Sequence, residues 1–492
     1  MSLTHIRDRE RGWCEVPLVK TWQLIAGSTA AGLALSVAAV SAAGPWDSGQ
    51  RKAERDRAAS WEPAGGADHA APPLPQPAPS APGVLAGIGP GLAQAAGAAG
   101  AAEPAGLAEA LRPLLDDPAL GSARTASVVD TATGRVLFES GHGRPMAPAS
   151  TTKIATAAAA LTALGPDHRI RTTVAPGTDP GQIVLVGGGD PSLTAKKKPP
   201  AGSGGSLVAL AADTAQALRA TGRDRVALGY DDSLFTGPAR HPIGVNGNLA
   251  LVSPLMADEA RPDDSVSGPV ARIEDPAAHT ARSFAALLAE RGITVTGEPA
   301  RARPAAGTQP LAVTLSTPVS GLVERMLTHS DNDIAEALAR QTALASGRPA
   351  GFEGAEKAVA DRLASLGLDT AGSRFADGSG LNRADRLTGS LLTGILAKAA
   401  DPDHPELRPL LTGMPVAGFT GTLRARNAGD SPAAGLVRAK TGTLTGVNAL
   451  AGTVVDSSGR LLAFAFLSAE APDGPAAEKR LDRLAAAVAA AR

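Results

Sequence analysis

The 492-residue chain has one cysteine, few aromatic residues and no excess of either charge. Because Cys14 stands alone near the start, no internal disulfide can form, and a thiolate-held structural zinc is not expected. A fold without disulfides can still be exported. Aromatic residues make up 3% against 43% for all hydrophobic residues, so the core has to be built from Ala, Leu and Val. The net charge of −1 gives no reason to expect nucleic acid as a partner. The histidines, His241 and His329 among them, are scattered without ligand spacing, and Gly187 to Gly189 has no following Lys or helix pattern. No metal site and no cofactor are expected. No fixed-period repeat is present, and the length suggests two or three domains.

What is there comes in blocks. Residues 1–23 are basic and read as a cytoplasmic N-terminal segment. They precede an apolar run at 24–43, near the roughly 20 residues that span a bilayer. This run reads as a signal anchor or signal peptide, with Val40-Ser41-Ala42 as a small-residue cleavage site. Residues 44–105 are rich in Pro, Ala and Gly and read as a disordered tether. From Leu107 onward the pattern is that of folded protein. Ala126 to Asp130 and Arg135 to Glu139 predict a hairpin about Gly134. Gly446 to Asp456 and Arg460 to Ala469 predict a second hairpin, followed by a helix over 476–491. Strands at both ends with helices between predict an antiparallel sheet flanked by helices, an α+β fold.

Three short motifs carry chemistry. Ser150-Thr-Thr-Lys153 lies where a helix is predicted from Pro148, and residues three apart share a helix face, so hydroxyl and amine can meet. A serine needs such a base to act as a nucleophile, and a lysine serves only if its pKa is lowered. Ser330-Asp331-Asn332 opens an apolar-periodic run. It reads either as a helix cap or as a second hydroxyl that passes protons beside an amide that holds substrate. Lys440-Thr441-Gly442-Thr443 follows a short strand pattern. It reads either as a hairpin end or as a strand edge where Gly442 admits a substrate backbone and the Lys and hydroxyls suit a carboxylate.

The three motifs occur in the order used by penicillin-binding proteins and serine β-lactamases, which this chain resembles over about 107–492. The gap from Ser150 to Ser330 is far longer than a compact β-lactamase needs. Its readable pieces, Gln182 to Leu193, Arg225 to Phe235 and a helix over 281–292, look like the insert of the S13 peptidase family, the class C penicillin-binding proteins. Phe375 to Leu381 resembles that family's DGSGL stretch, and Pro415 to Gly418 with Gly421 to Leu423 resembles another; Asn382 departs from the Ser more often expected.

The resemblance implies a penicillin-binding, β-lactamase-like transpeptidase fold. Its catalytic domain would be formed by 106–168 and 305–492, with a smaller inserted domain at 169–304. It implies a D-alanyl-D-alanine carboxypeptidase, with endopeptidase action also open, trimming peptidoglycan peptides outside the cytoplasm. Ser150 would attack the D-Ala-D-Ala carbonyl, Lys153 would take its proton and Ser330 would relay a proton to the leaving D-Ala. Asn332 would hold the substrate amide; Lys440, Thr441 and Thr443 would bind the terminal carboxylate. The backbone N–H groups of Ser150 and Thr443 would form the oxyanion hole. Asp190 and Arg383 would meet the amine and carboxylate of a diaminopimelate side chain. No glutamate motif of the class A β-lactamases is evident, so β-lactams are expected to acylate and inhibit. Partners would be D-Ala-D-Ala peptides, β-lactams, and the membrane through 24–43 if that segment is retained. A β-lactamase or esterase on the same fold, or a non-catalytic tethered wall-binding module, stands as the alternative.

Overall fold

The computed structural model describes residues 104–491 except residue 245. The segment read as an anchor, 24–43, and nearly all of the tether at 44–105 lie outside the described residues. Among the described residues no helix is long and apolar enough to cross a membrane.

Two five-stranded sheets organise the described residues. Helix α1 (Pro104–Leu115) leads into β1 (Ala123–Asp130) and β2 (Val136–Ser140), then α2 (Thr152–Leu164). The second sheet follows: β3 (Arg171–Pro176), β4 (Gln182–Val186), α3 (Leu207–Ala220), β5 (Arg225–Asp231), α4 (Pro276–Ala289), β6 (Thr294–Arg301) and β7 (Ala312–Leu315). The chain then returns through α5 (Val319–His329), α6 (Asn332–Ala345), α7 (Phe352–Ser365), α8 (Gly389–Ala400) and α9 (Arg408–Thr412). It ends on β8 (Val437–Leu444), β9 (Val447–Val455), β10 (Leu461–Ala469) and α10 (Gly474–Ala489).

The first sheet runs β2-β1-β10-β9-β8, antiparallel throughout. Strand alternation sorts side chains by size as well as polarity. Leu462, Phe464 and Phe466 of β10, with Leu450 and Val454 of β9, pack with Leu111 of α1 and Leu481 and Leu484 of α10. The other parity, Ala449, Ala451, Ala463 and Ala465, joins the cluster containing Ala157 to Ala160 of α2 and Leu391, Leu392 and Ile395 of α8. Small residues on both sides allow close approach of helix and sheet, which is how a core poor in aromatics reaches interior packing density. The α+β class with an antiparallel, helix-flanked sheet is borne out.

The second sheet runs β6-β5-β4-β3-β7 and is mixed: β4-β5 and β5-β6 are parallel, β3-β4 and β3-β7 antiparallel. Helices α3 and α4 bury Leu207, Leu210, Leu218, Phe284, Leu287 and Leu288 with its strands. Between β5 and α4 the chain makes a long irregular excursion, 232–275, which reaches α6 and the loop that precedes α8.

Candidate active site

Ser150 is the middle residue of a 3-10 turn, Ala149–Thr151, and Lys153 follows in the first turn of α2. The single helix expected from Pro148 is therefore split, and Ala149 takes a left-handed backbone at φ 48°. Glycines accommodate that turn. A Cβ on Gly380 would stand 2.0 Å from the Ala149 carbonyl oxygen, and one on Gly442 would stand 2.6 Å from that of Pro148. Gly442 thus admits the protein's own backbone, where the sequence suggested a substrate's.

Lys153 is fully buried. Its Nζ lies 3.0 Å from Ser150 Oγ, 2.7 Å from Asn332 Oδ1 and 2.6 Å from the Ser379 carbonyl oxygen. The last two oxygens can only accept, so they hold two N–H bonds. A neutral amine in this place has its lone pair left for the serine hydroxyl. Burial pushes Lys153 down to about 8, against the opposing pull of Asp377, Asp331, Glu336 and Asp385.

Ser330 ends α5 in a left-handed conformation (φ 58°), and Asp331 caps α6 by accepting from the Ile334 amide at 3.0 Å. The cap therefore belongs to Asp331, and Ser330 and Asn332 face the cleft on either side of it. Asn332 Nδ2 donates to the Asn248 carbonyl at 2.9 Å. Lys440 to Thr443 lie on β8, the edge strand of the first sheet. Lys440 is buried and donates to the Thr441 carbonyl at 2.7 Å. Burial, then the charges of Lys153 and Arg426, hold it well below the ordinary lysine range. Thr441 donates to Thr422 Oγ1 and Thr443 to Glu478 Oε1, both at 2.9 Å.

A cleft of about 330 Å³ is lined by Ser150, Ser330, Asn332 and Thr443, together with Asn248, Arg272 and His329. Ser150, Lys153 and Asn332 are in direct contact; Lys440 and Thr441 do not line the cleft. Asp190 does not line it either. It is buried in its own turn, where Oδ1 accepts from the Ser192 amide at 2.7 Å and hydroxyl at 2.6 Å, and burial raises it to about 6. Arg383 is exposed, donating to the Thr445 carbonyl at 3.0 Å beside Leu381 and Leu444 of the cleft wall.

Several site-building residues carry no motif. Asp377 organises the loop that presents the Ser379 carbonyl to Lys153. Its Oδ1 accepts from the amides of Ser379 (3.0 Å) and Gly380 (2.6 Å). Its Oδ2 accepts from the Asn382 amide (2.7 Å), the Ser379 hydroxyl (3.1 Å) and His241 Nε2 (2.8 Å). Burial opposes ionisation of Asp377, yet these bonds, that from His241 foremost, hold it at about 2. Burial and the charge of Asp377 push Asp385 up to about 10 and Glu336 up to about 7. Glu336 Oε1 accepts from the amides of Gly378 (3.1 Å) and Ser379 (3.0 Å).

One turn before Glu336 on α6, Asp333 meets Arg272 at 3.0 Å and accepts from the Ala250 amide at 2.9 Å. Glu259 meets Arg261 at 3.0 Å and also Arg325. His241, Glu336 and Asp377, and likewise Glu259, Asp331 and Asp333, lie close enough to share an ion. Protein donors already satisfy both sets, so neither fits a metal. Asp377 had a signal in the DGSGL stretch; His241, Asn248 and Arg272 had none.

The model of the D-Ala-D-Ala carboxypeptidase 3 (S13) family matches residues 107–247 and 260–488. Carboxypeptidase DacB of Mycolicibacterium smegmatis is 39% identical over 430 residues, 85% of this chain and 90% of that protein. A D-alanyl-D-alanine carboxypeptidase of an Actinomadura species is 32% identical over 479 residues, 78% and 84% of the two chains. The crystal structure of penicillin binding protein 4 from Haemophilus influenzae superposes with a TM-score of 0.62 at 23% identity, covering 77% of this chain and 97% of that one, a likeness of fold. With the family model spanning most of the chain and relatives aligned along nearly their whole length, the chain belongs to the D-Ala-D-Ala carboxypeptidase 3 (S13) family.

Proposed function

We propose that the chain is a serine D-alanyl-D-alanine carboxypeptidase that trims peptidoglycan peptides through an acyl-enzyme on Ser150. The observation that carries this is the buried Lys153 amine, 3.0 Å from Ser150 Oγ and with its other N–H bonds held by Asn332 and Ser379. With a pKa of about 8, a useful fraction of Lys153 is neutral near pH 7. The amine takes the serine proton as Oγ attacks the penultimate D-Ala carbonyl. The Ser150 and Thr443 amides receive the oxyanion. Ser330 returns a proton to the leaving D-Ala nitrogen, and water then releases the shortened peptide. Asn332 orients the substrate amide. The Thr443 hydroxyl on the cleft wall receives the terminal carboxylate, with Lys440 and Thr441 supporting it from behind on β8. The inserted domain, expected over 169–304, runs on to 315, because β7 pairs with β3 in the second sheet. The substrate sits in the wall, so the enzyme works outside the cytoplasm; residues 24–43 would tie it to the membrane if retained.

The test is intact-protein mass after benzylpenicillin on the full chain, with Ser150→Ala alongside. A lasting penicilloyl adduct on the parent, absent from the variant, is expected. Drug consumption without an adduct would indicate a β-lactamase, and neither adduct nor consumption a non-catalytic module.

A further inference from the structure

We propose that His241 is a positioning residue for the catalytic lysine, acting through Asp377 and the Ser379 carbonyl. The inference rests on the carboxypeptidase reading above and deepens it. His241 belongs to the excursion 232–275, far in sequence from the catalytic motifs, yet its side chain is only 1% exposed. The Ile243 amide donates to Nδ1 at 3.2 Å, so the neutral ring carries its proton on Nε2 and donates it to Asp377 Oδ2 at 2.8 Å. Asp377 in turn collects the amides of Ser379 and Gly380, fixing the peptide whose carbonyl holds Lys153 at 2.6 Å. Each link is buried, and Glu336 Oε1 shares the Ser379 amide with Asp377 at 3.0 Å.

The surroundings give the histidine its importance. Beside it are Asp377 from the loop before α8, Glu336 from α6 and Phe352 from α7, edge-on with ring centroids 5.4 Å apart; Asp385 adjoins Asp377, and Arg340 lies over the Phe352 ring. The three carboxyl groups compete for ionisation, and the Nε2–H donor decides in favour of Asp377. Without it Asp377 protonates more readily. Its hold on the Ser379 peptide weakens, and Lys153 loses both an oriented acceptor and a stabilising negative charge. Both losses lower the lysine pKa while disordering its aim at Ser150.

The experiment compares the full chain with His241→Phe, which keeps ring volume and the contact with Phe352, and His241→Gln, whose amide nitrogen restores a donor near Nε2. Benzylpenicillin acylation is followed by mass from pH 6 to 10, with melting transitions recorded in parallel. His241→Phe should acylate at least tenfold more slowly, with the midpoint of its pH profile moved below that of the parent and initial drug affinity unchanged. His241→Gln should recover to within threefold. If His241→Phe does not fold, His241→Asn, too short to reach Asp377, takes its place against Gln. A folded donor-less variant with the parent's rate and pH midpoint would overturn the proposal, as would Gln slowed as much as Phe. A labelled parent with an equally labelled His241→Phe overturns this inference alone. An unlabelled parent overturns the carboxypeptidase reading and this inference with it.

Discussion

Two buried acid clusters flank the start of α6, and they are neutralised by different means. Around Asp377 the donors are backbone amides, one hydroxyl and one neutral imidazole. Around Glu259, Asp331 and Asp333 they are chiefly the guanidinium groups of Arg261, Arg272 and Arg325, with the Ile334 and Ala250 amides beside them. The first arrangement concentrates its donors on one carboxylate, which drops to about 2 while Asp385 beside it rises to about 10. The second spreads positive charge over several acids. Burial and mutual repulsion then prevail: Asp333 rises to about 6, and Glu259 well above its usual range. Fixed dipoles aimed at a single group define its charge state more sharply than a larger formal charge shared among several.

The contrast can be broken by removing the hub on each side. Asp377→Ala should cost about 3–5 kcal/mol of stability, as expected when a buried charged partner is deleted. It should also slow acylation on the order of a hundredfold, the scale of a misaimed catalytic group. Arg272→Met should cost less, about 1–2 kcal/mol, because Asp333 is already poised to take a proton. Urea melts and timed acylation measure both pairs; equal losses would erase the distinction.

The pH dependence should differ in sign. Asp377, lowered from 3.8 to about 2, contributes stability that is present above about pH 4 and lost as pH falls through 2; Asp377→Asn should remove that acid limb. Asp333, raised from 3.8 to about 6, keeps its proton when folded while the unfolded chain has lost it. Stability therefore declines as pH rises from about 4 to 6, and Asp333→Asn should remove that share of the decline.

The smallest effects belong to residues outside both clusters. Arg383→Ala and Asp190→Asn should each leave acylation within about threefold, with stability within about 1 kcal/mol for Arg383→Ala. A large rise in KM for a diaminopimelate-bearing peptide, measured on either variant, would bring that residue back into the substrate site.

The legible parts of the fold were those with local signals. Both terminal hairpins and the last helix lie within a few residues of their expected positions, because period-two alternation and glycine turns mark them. Strands β3 and β6 gave little signal. They carry Arg, Pro, Gly and Glu, and β6 is largely exposed, so packing and pairing define them more than pattern does. At the site, Ser150, Lys153 and Asn332 were legible because each sits in a contiguous motif and their contact is direct. His241, Asn248 and Arg272 were not, since an aperiodic stretch brings them in by tertiary routing alone. Ala149 shows a further limit: its left-handed turn is sustained by Gly380 and Gly442, hundreds of residues downstream.

The excursion 232–275 bears on modularity. It leaves one sheet and lends His241, Asn248, Ala250 and Arg272 to acids and amides that belong to the other. A shortened enzyme made by cutting out the chain from β3 to β7 would keep every catalytic motif. It would also inherit Asp333 stripped of its donors, and Asp377 without its imidazole donor, in a closed interior. What looks in sequence like a detachable accessory is, in the folded molecule, part of the wiring of the reaction centre, and a trimmed version would have to replace those donors before it could work.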